Sequence, residues 1–152
     1  MVNAIAVALH VVCAALWTGG MFFAYVVLRP TLASVEPPDR LALWAGVFRR
    51  FFPWVWLIIL VLLGTGYWLI VIAFGGFATT PVHVHLMQAL GLLMMVLFAY
   101  LYHVPYPVFR RSVEAGQWPE GAKALGRIRH IILVNLILAL AVVAIAAGGR
   151  YW

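Results

Sequence analysis

Charge is scarce in this chain, and acid scarcer still. Only 9% of the residues are Asp, Glu, Lys or Arg, and 66% are hydrophobic. Soluble domains carry charge on about a quarter of their residues, so this chain has too little polar surface to cover itself in water, and lipid must supply the missing solvent. The four acids are Glu36, Asp39, Glu114 and Glu120, and none falls within a long apolar stretch. That excludes a carboxylate proton relay across a membrane and a paired-carboxylate hydrolase. A single cysteine, Cys13, excludes an internal disulfide and a Cys-rich metal site. Internal repeats and low-complexity linkers are also missing. The ten Lys and Arg give a net charge of +6. They cluster in two loops without forming a stripe, which argues for anionic lipid and against nucleic acid as the partner.

What is present is apolar sequence in lengths that cross a bilayer. A span needs about 20 mostly apolar residues, and four stretches qualify: Val2 to Leu28, Pro53 to Phe74, Val82 to Val104 and Ile128 to Ala147. In lipid these must be helices, because a lone strand would leave its backbone groups unpaired. The first lacks a basic leader and ends at Arg29, which reads as a retained helix and not a cleaved signal. Pro53 suits the first turn of the second helix, and an amphipathic lead-in from Arg40 to Phe52 either lies along the interface or extends that helix. Nine of the ten basic residues fall between 29 and 50 or between 110 and 129, leaving only Arg150 elsewhere. The positive-inside rule then places both long loops in the cytoplasm and both termini outside. The expected protein is all-α: one domain over 1–152, a four-transmembrane-helix bundle of up-down-up-down order in a bacterial inner membrane, with periplasmic N and C termini. Trp54, Trp56, Trp68, Tyr151 and Trp152 fall near the expected interfaces. Ala14, Ala15, Gly19, Gly20, Gly64, Gly66, Gly91, Ala139 and Ala144 would let helices approach closely. Exposed apolar faces make a homodimer reasonable. Gly75, Gly76 and Gly116 punctuate loops, and Asn135 inside the last span needs a helix-to-helix hydrogen bond.

Five histidines are the ionisable residues that need explaining. His10 lies about two turns into the first helix, with Cys13 and Trp17 on its face. His83 and His85 open the third helix on nearly opposite faces. His85 shares its face with Gln88, Leu92, Met95 and Tyr102, so it is expected to point inward and His83 into headgroups. By helical rise, His10 lies ~8 Å and His85 ~12 Å outward of their helix centres, so the two can meet at one level. Two imidazoles from facing helices, with no carboxylate, suit haem b iron held axially by His10 and His85. Copper is the rival, with His10, Cys13, His85 and a thioether such as Met87, Met94 or Met95 as donors, although methionines at helical spacing also read as core filler. His103 and His130, near the other ends of the third and fourth helices, would hold a second haem, or are simply hydrated beside Arg127 and Arg129. Arg49, Arg50 and Arg129 would meet haem propionates or an anionic substrate, although topology alone also accounts for them. Tyr100 and Tyr102 read as interface aromatics.

The first helix carries Leu9-His10, then Trp17, Gly19-Gly20 and an aromatic-rich run to Arg29-Pro30. The second opens Arg49-Arg50-Phe51-Phe52 and carries Gly64-Thr65-Gly66, and the fourth carries Arg127, Arg129 and Asn135. Over most of its length the chain resembles the CopD copper-resistance membrane domain and the related HemJ-type protoporphyrinogen oxidases. The resemblance implies a four-helix inner-membrane protein. It further implies copper movement in the one case, and haem b with porphyrin oxidation in the other. The family's first-helix histidine corresponds to His10. Where the HemJ third helix has His-x-Lys, this chain has His83-Val84-His85 and no lysine.

Three functions therefore stand as expectations. The first is a haem b redox protein that passes electrons to a quinol, a porphyrin or another membrane protein, and could be a membrane oxidoreductase. Its cofactor would be bound by His10, His85, Trp17, Gln88, Arg49 and Arg129. The second is a copper transport or resistance protein. The third is a small subunit or assembly factor of a respiratory complex.

Overall fold

The computed structural model describes Met1–Tyr151. Trp152 and the side chain of Arg150 lie outside the described residues, and with them the belt position expected of Trp152. The described residues form helices and turns and no strand. Helix α1 runs Val2–Phe22, widens into a π-helical turn over Phe23–Leu28, and finishes through Arg29–Thr31 and a 3-10 turn at Leu32–Ser34. Helix α2 spans Pro37–Trp68 and widens over Leu69–Ala73. Helix α3 is Val82–His103, α4 is Pro105–Glu114, and α5 is Trp118–Gly148, closed by a 3-10 turn at Gly149–Tyr151. Four of these stretches are long and apolar enough to cross a membrane. The chain is thus a multi-pass, all-α membrane protein.

Proline sets where the helices begin. It occupies the first turn of α2, α4 and α5, where the missing N–H costs nothing and its fixed φ is already helical. Glycine sets where the chain reverses. Gly75, Gly76 and Gly116 have φ of 77°, 113° and 69°, a region that side-chain-bearing residues avoid.

Two expectations about boundaries change, and one left open between two alternatives is decided. Pro53 is not in a first turn but lies inside α2. It lacks the N–H that would reach the Arg49 carbonyl. Both residues are exposed, which leaves that carbonyl open to solvent or headgroups. The lead-in from Arg40 to Phe52 therefore extends α2 and does not form a separate interfacial helix. The stretch from 105 to 129 is not a loop. It folds as α4 and the first three turns of α5, because Tyr106, Phe109 and Ser112 face inward and are buried. Phe109 is 0% exposed.

The ends of the bundle are fixed by contacts between helix termini. Trp68 Nε1, at the end of α2, donates to Asn3 Oδ1 at the start of α1, 3.2 Å away. His83, at the start of α3, packs against Gly149 at the end of α5. Starts of α1 and α3 and ends of α2 and α5 therefore share one end, which gives the up-down-up-down order. This apolar end contrasts with the other, basic end, where nine of the ten Lys and Arg lie.

Aromatic residues form the core toward the basic end. Trp17 meets Phe98 edge-on at 6.3 Å, and Phe98 meets Phe52 at 5.5 Å. Phe52 stacks on Phe48 at 4.9 Å, and Phe48 tilts on Trp44 at 5.1 Å. Tyr106 and Phe109 close the column from α4. Edge-on and offset pairs of this kind each add about 0.5–1.5 kcal/mol beyond the area they bury. Small residues permit the approach in places. A Cβ at Gly20 would collide with the ring of Phe51, and Ala139 is buried. Asn135, 2% exposed, donates from Nδ2 to the Met94 carbonyl at 3.2 Å. This is the helix-to-helix bond its position required.

Candidate functional site

Toward the apolar end the aromatic packing stops, and a cavity of about 420 Å³ opens among α1, α2, α3 and α5. Trp17 forms its floor. Most of its wall is aliphatic, and the few polar or soft side chains on it include His10, His83, Gln88, Met87, Met94 and Met95. The widened turn at the end of α2 helps shape the wall, bringing Leu69, Ile70 and Phe74 onto it.

His10 is held by its neighbour on α2. Its Nδ1 lies 2.8 Å from Thr65 Oγ1. The Thr65 hydroxyl in turn lies 2.6 Å from the Val61 carbonyl, which can only accept. The one hydroxyl proton is therefore spent on Val61, and Thr65 receives a hydrogen bond from His10 Nδ1–H. This fixes the proton of the neutral ring on Nδ1 and leaves the Nε2 lone pair free. Among the described residues no hydrogen bond engages Nε2. Donation of the second ring N–H to a fixed acceptor is how proteins orient a metal-binding imidazole. Gly66 completes the arrangement: a Cβ there would lie 3.3 Å from His10 Cε1. The sequence Gly64-Thr65-Gly66 thus contributes the acceptor and the space beside the ring.

His83 stands at the mouth of the cavity. Its ring lies so close to the Gly149 backbone that a Cβ there would be 2.5 Å from His83 Cγ. Below it on α3 the cavity face continues through Met87, Gly91, Met94 and Met95, at intervals of about one helical turn. His10 is eight residues into α1, ~12 Å by helical rise, level with the stretch of α3 between Met87 and Gly91. The donors therefore descend from His83, past Met87 and His10, to the deeper thioethers above Trp17.

The expected site residues divide. His10, Trp17, Gln88 and Met87 line the cavity. His85 does not, and the expectation that it is the inward member of the pair is corrected. Its Nε2 lies 3.1 Å from the Phe77 carbonyl, and its ring stacks on Phe77, drawn there by the short turn Phe77–Thr79. His10 and His85 are accordingly not brought face to face. Cys13 also turns away, packing against the core while Ala14 and Trp17 take the cavity face. Arg49 and Arg129 sit at the basic end. Arg129 precedes the first cavity residue of α5, Ala139, by ~15 Å of helix, and Arg49 is exposed, so neither reaches a group held in the cavity. His103 and His130 are both exposed. His103 Nδ1–H donates to the Ala99 carbonyl at 2.8 Å, and no contact among the described residues joins the two rings. Sequence reasoning set His83 aside and did not single out the Thr65 hydroxyl. The spacing His83, Met87, Gly91, Met94 was the available signal for the first, since it repeats soft or small residues on one helical face. For Thr65 only its glycine neighbours were visible.

Among the described residues there is no cluster of three or more His, Cys, Asp or Glu that could hold a metal ion, so any metal here would depend on thioethers as well as imidazoles. Neither the curated proteins nor the solved structures offer a match to the chain. A family model does: that of copper resistance protein D, over residues 45–148. That range takes in α3, α4, α5 and most of α2, with Thr65, Gly66, His83 and the cavity methionines, while His10 lies before it. A multi-pass helical bundle of this build, matched over more than half its length, belongs to the CopD family of copper resistance membrane proteins.

Proposed function

We propose that the protein handles copper as cargo, taking a cuprous ion into the cavity at the apolar end. The observation that carries this is the state of His10, tethered through Nδ1 to Thr65 with Nε2 free, in a cavity that also presents His83 and three methionines. Imidazole and thioether are the donors that suit monovalent copper, and the absence of carboxylates disfavours harder ions. His83 at the mouth receives the ion, Met87 and His10 hold it, and the column of rings below Trp17 makes the cavity one-ended. On this reading the protein acquires and hands over copper on one side of the membrane. The basic end faces the cytoplasm by the positive-inside rule, which puts the cavity at the periplasmic side of an inner membrane.

The test is cuprous ion binding to the purified protein in detergent, by elemental analysis and by competition with a chromogenic chelator. One ion per chain is expected. His10→Ala and His83→Ala should each weaken binding at least about tenfold, as loss of a ligand or its orienting partner does, and His85→Ala should leave it unchanged. No bound copper, or equal losses in all three variants, would overturn the proposal.

Haem b is the second reading, and one observation favours it: His10 and His83 approach one cavity from α1 and α3. The pair would then be His10 and His83 in place of His10 and His85. A Soret band in the purified protein, lost in His83→Ala, would establish haem in place of copper.

A further inference from the structure

The basic end contains an arrangement that copper handling does not use. Arg29 at the end of α1, Arg40 in the first turns of α2 and Arg129 on α5 are near enough for the charges of Arg29 and Arg40 to act on Arg129. Like charges so placed repel, and none of the three has an ion-pair partner among the described residues. The ion pair at this end is Arg110 with Glu114, 3.7 Å apart and exposed, on α4. Arg29 lies over the ring of Tyr25, 4.9 Å from its centroid, and Arg129 lies over Trp44 at 5.8 Å. Trp44 is 2% exposed. Its Nε1 and the Nε of Arg129 are both buried donors without an acceptor. Buried polar groups are ordinarily satisfied, so a pair of orphaned donors beside three guanidiniums without an ion-pair partner points to an anion as their ligand.

We propose that a phosphate-bearing anion binds between α1, α2 and α5 at this point, bridged by Arg29, Arg40 and Arg129, and accepting from Trp44 Nε1 once the Arg129 side chain swings off the indole. Phosphate is the anion that fits. It carries several acceptor oxygens at once, and the guanidinium fork matches its geometry in pairs of hydrogen bonds. The site lies ~15 Å of helix from the copper cavity, so it neither depends on that reading nor shares its residues. At the level where helices emerge from a bilayer, the available source is the headgroup of an anionic phospholipid, which basic pockets between transmembrane helices bind. Free inorganic phosphate is the other source of the same chemistry.

The experiment places the full chain in nanodiscs of phosphatidylcholine alone, or of phosphatidylcholine with phosphatidylglycerol, and titrates inorganic phosphate separately in detergent. Thermal unfolding midpoints and bound lipid by native mass spectrometry are read for the wild type, Arg129→Gln, Arg40→Gln, Trp44→Phe and Arg111→Gln. Phosphatidylglycerol is expected to raise the midpoint of the wild type and to be retained on the protein. Arg129→Gln and Arg40→Gln should lose at least about tenfold in lipid affinity, and Trp44→Phe a smaller share, since it removes one N–H and keeps a ring. Arg111→Gln, an exposed charge on α4, should behave as the wild type. Stabilisation by inorganic phosphate with the same variant order would assign the site to the free ion. If Arg129→Gln does not fold, Arg40→Gln decides the matter from the surface of the site. Equal stabilisation by both lipid mixtures with no effect of phosphate would overturn the proposal, as would a loss in Arg111→Gln as large as in Arg40→Gln.

Discussion

Replacing Thr65 by valine removes one oxygen and keeps the shape of the side chain, and its consequence can be followed atom by atom. The Val61 carbonyl loses the hydroxyl at 2.6 Å, and His10 Nδ1–H loses its acceptor at 2.8 Å. The ring is then left with a donor in an apolar wall, a defect that costs about 1–3 kcal/mol. It relieves this by moving its proton to Nε2, the atom proposed to bind copper, or by rotating. Either response must be reversed when the ion binds. At about 1.4 kcal/mol per tenfold, cuprous affinity should fall by about 5- to 140-fold, which brackets the roughly 10- to 100-fold loss typical when an outer hydrogen bond to a metal-binding histidine is removed. Competition with a chromogenic chelator in detergent measures this directly. Thr65→Ser, which keeps the oxygen, is the control and should stay within about threefold of the wild type, because the acceptor that orients the ring is retained. The thermal midpoint should change little in Thr65→Ser and fall by several degrees at most in Thr65→Val, the larger shift corresponding to a ring that keeps its unpaired donor. Undiminished affinity in Thr65→Val, or an equal loss in Thr65→Ser, would refute the argument that this hydroxyl sets the state of His10.

Three other expectations follow from packing. Gly66→Val should weaken copper binding more than Gly66→Ala, because a Cβ alone already stands 3.3 Å from His10 Cε1 and a branched side chain would push the ring from its place; chelator competition on both variants checks the order. Asn135→Leu should cost only about 0.6 kcal/mol in an unfolding titration with sodium dodecyl sulfate, the average for hydrogen bonds between membrane helices, since it removes one bond to Met94 and also an unsatisfied Oδ1. Phe48→Ala should cost far more, about 3–5 kcal/mol by the same titration, because Phe48 is 2% exposed and meets Trp44, Phe52, Tyr106 and Phe109.

Composition and the placement of charge were enough to settle the solvent, the number of crossings and the order of the helices. Each crossing must satisfy its own backbone in lipid, so long apolar runs leave the chain a single choice of secondary structure. Local chemistry also set the turns, through Gly75, Gly76 and Gly116, and the need of Asn135 for a partner. Helix rotation was beyond the reach of the sequence. His83 and His85 are two residues apart, and a bundle surrounded by lipid accepts apolar side chains both inside and outside, so hydropathy does not report which face of α3 turns inward. The space left by Gly149, which has no side chain, and the turn at Phe77 decided it, placing one ring in the cavity and the other on Phe77. The extension of α2 through Pro53 and the docking of α4 were likewise tertiary outcomes, because both depend on contacts with residues far along the chain. The tether between His10 and Thr65 joins positions 55 residues apart. No local pattern encodes that distance, and only the packing of α1 on α2 brings the hydroxyl to the ring.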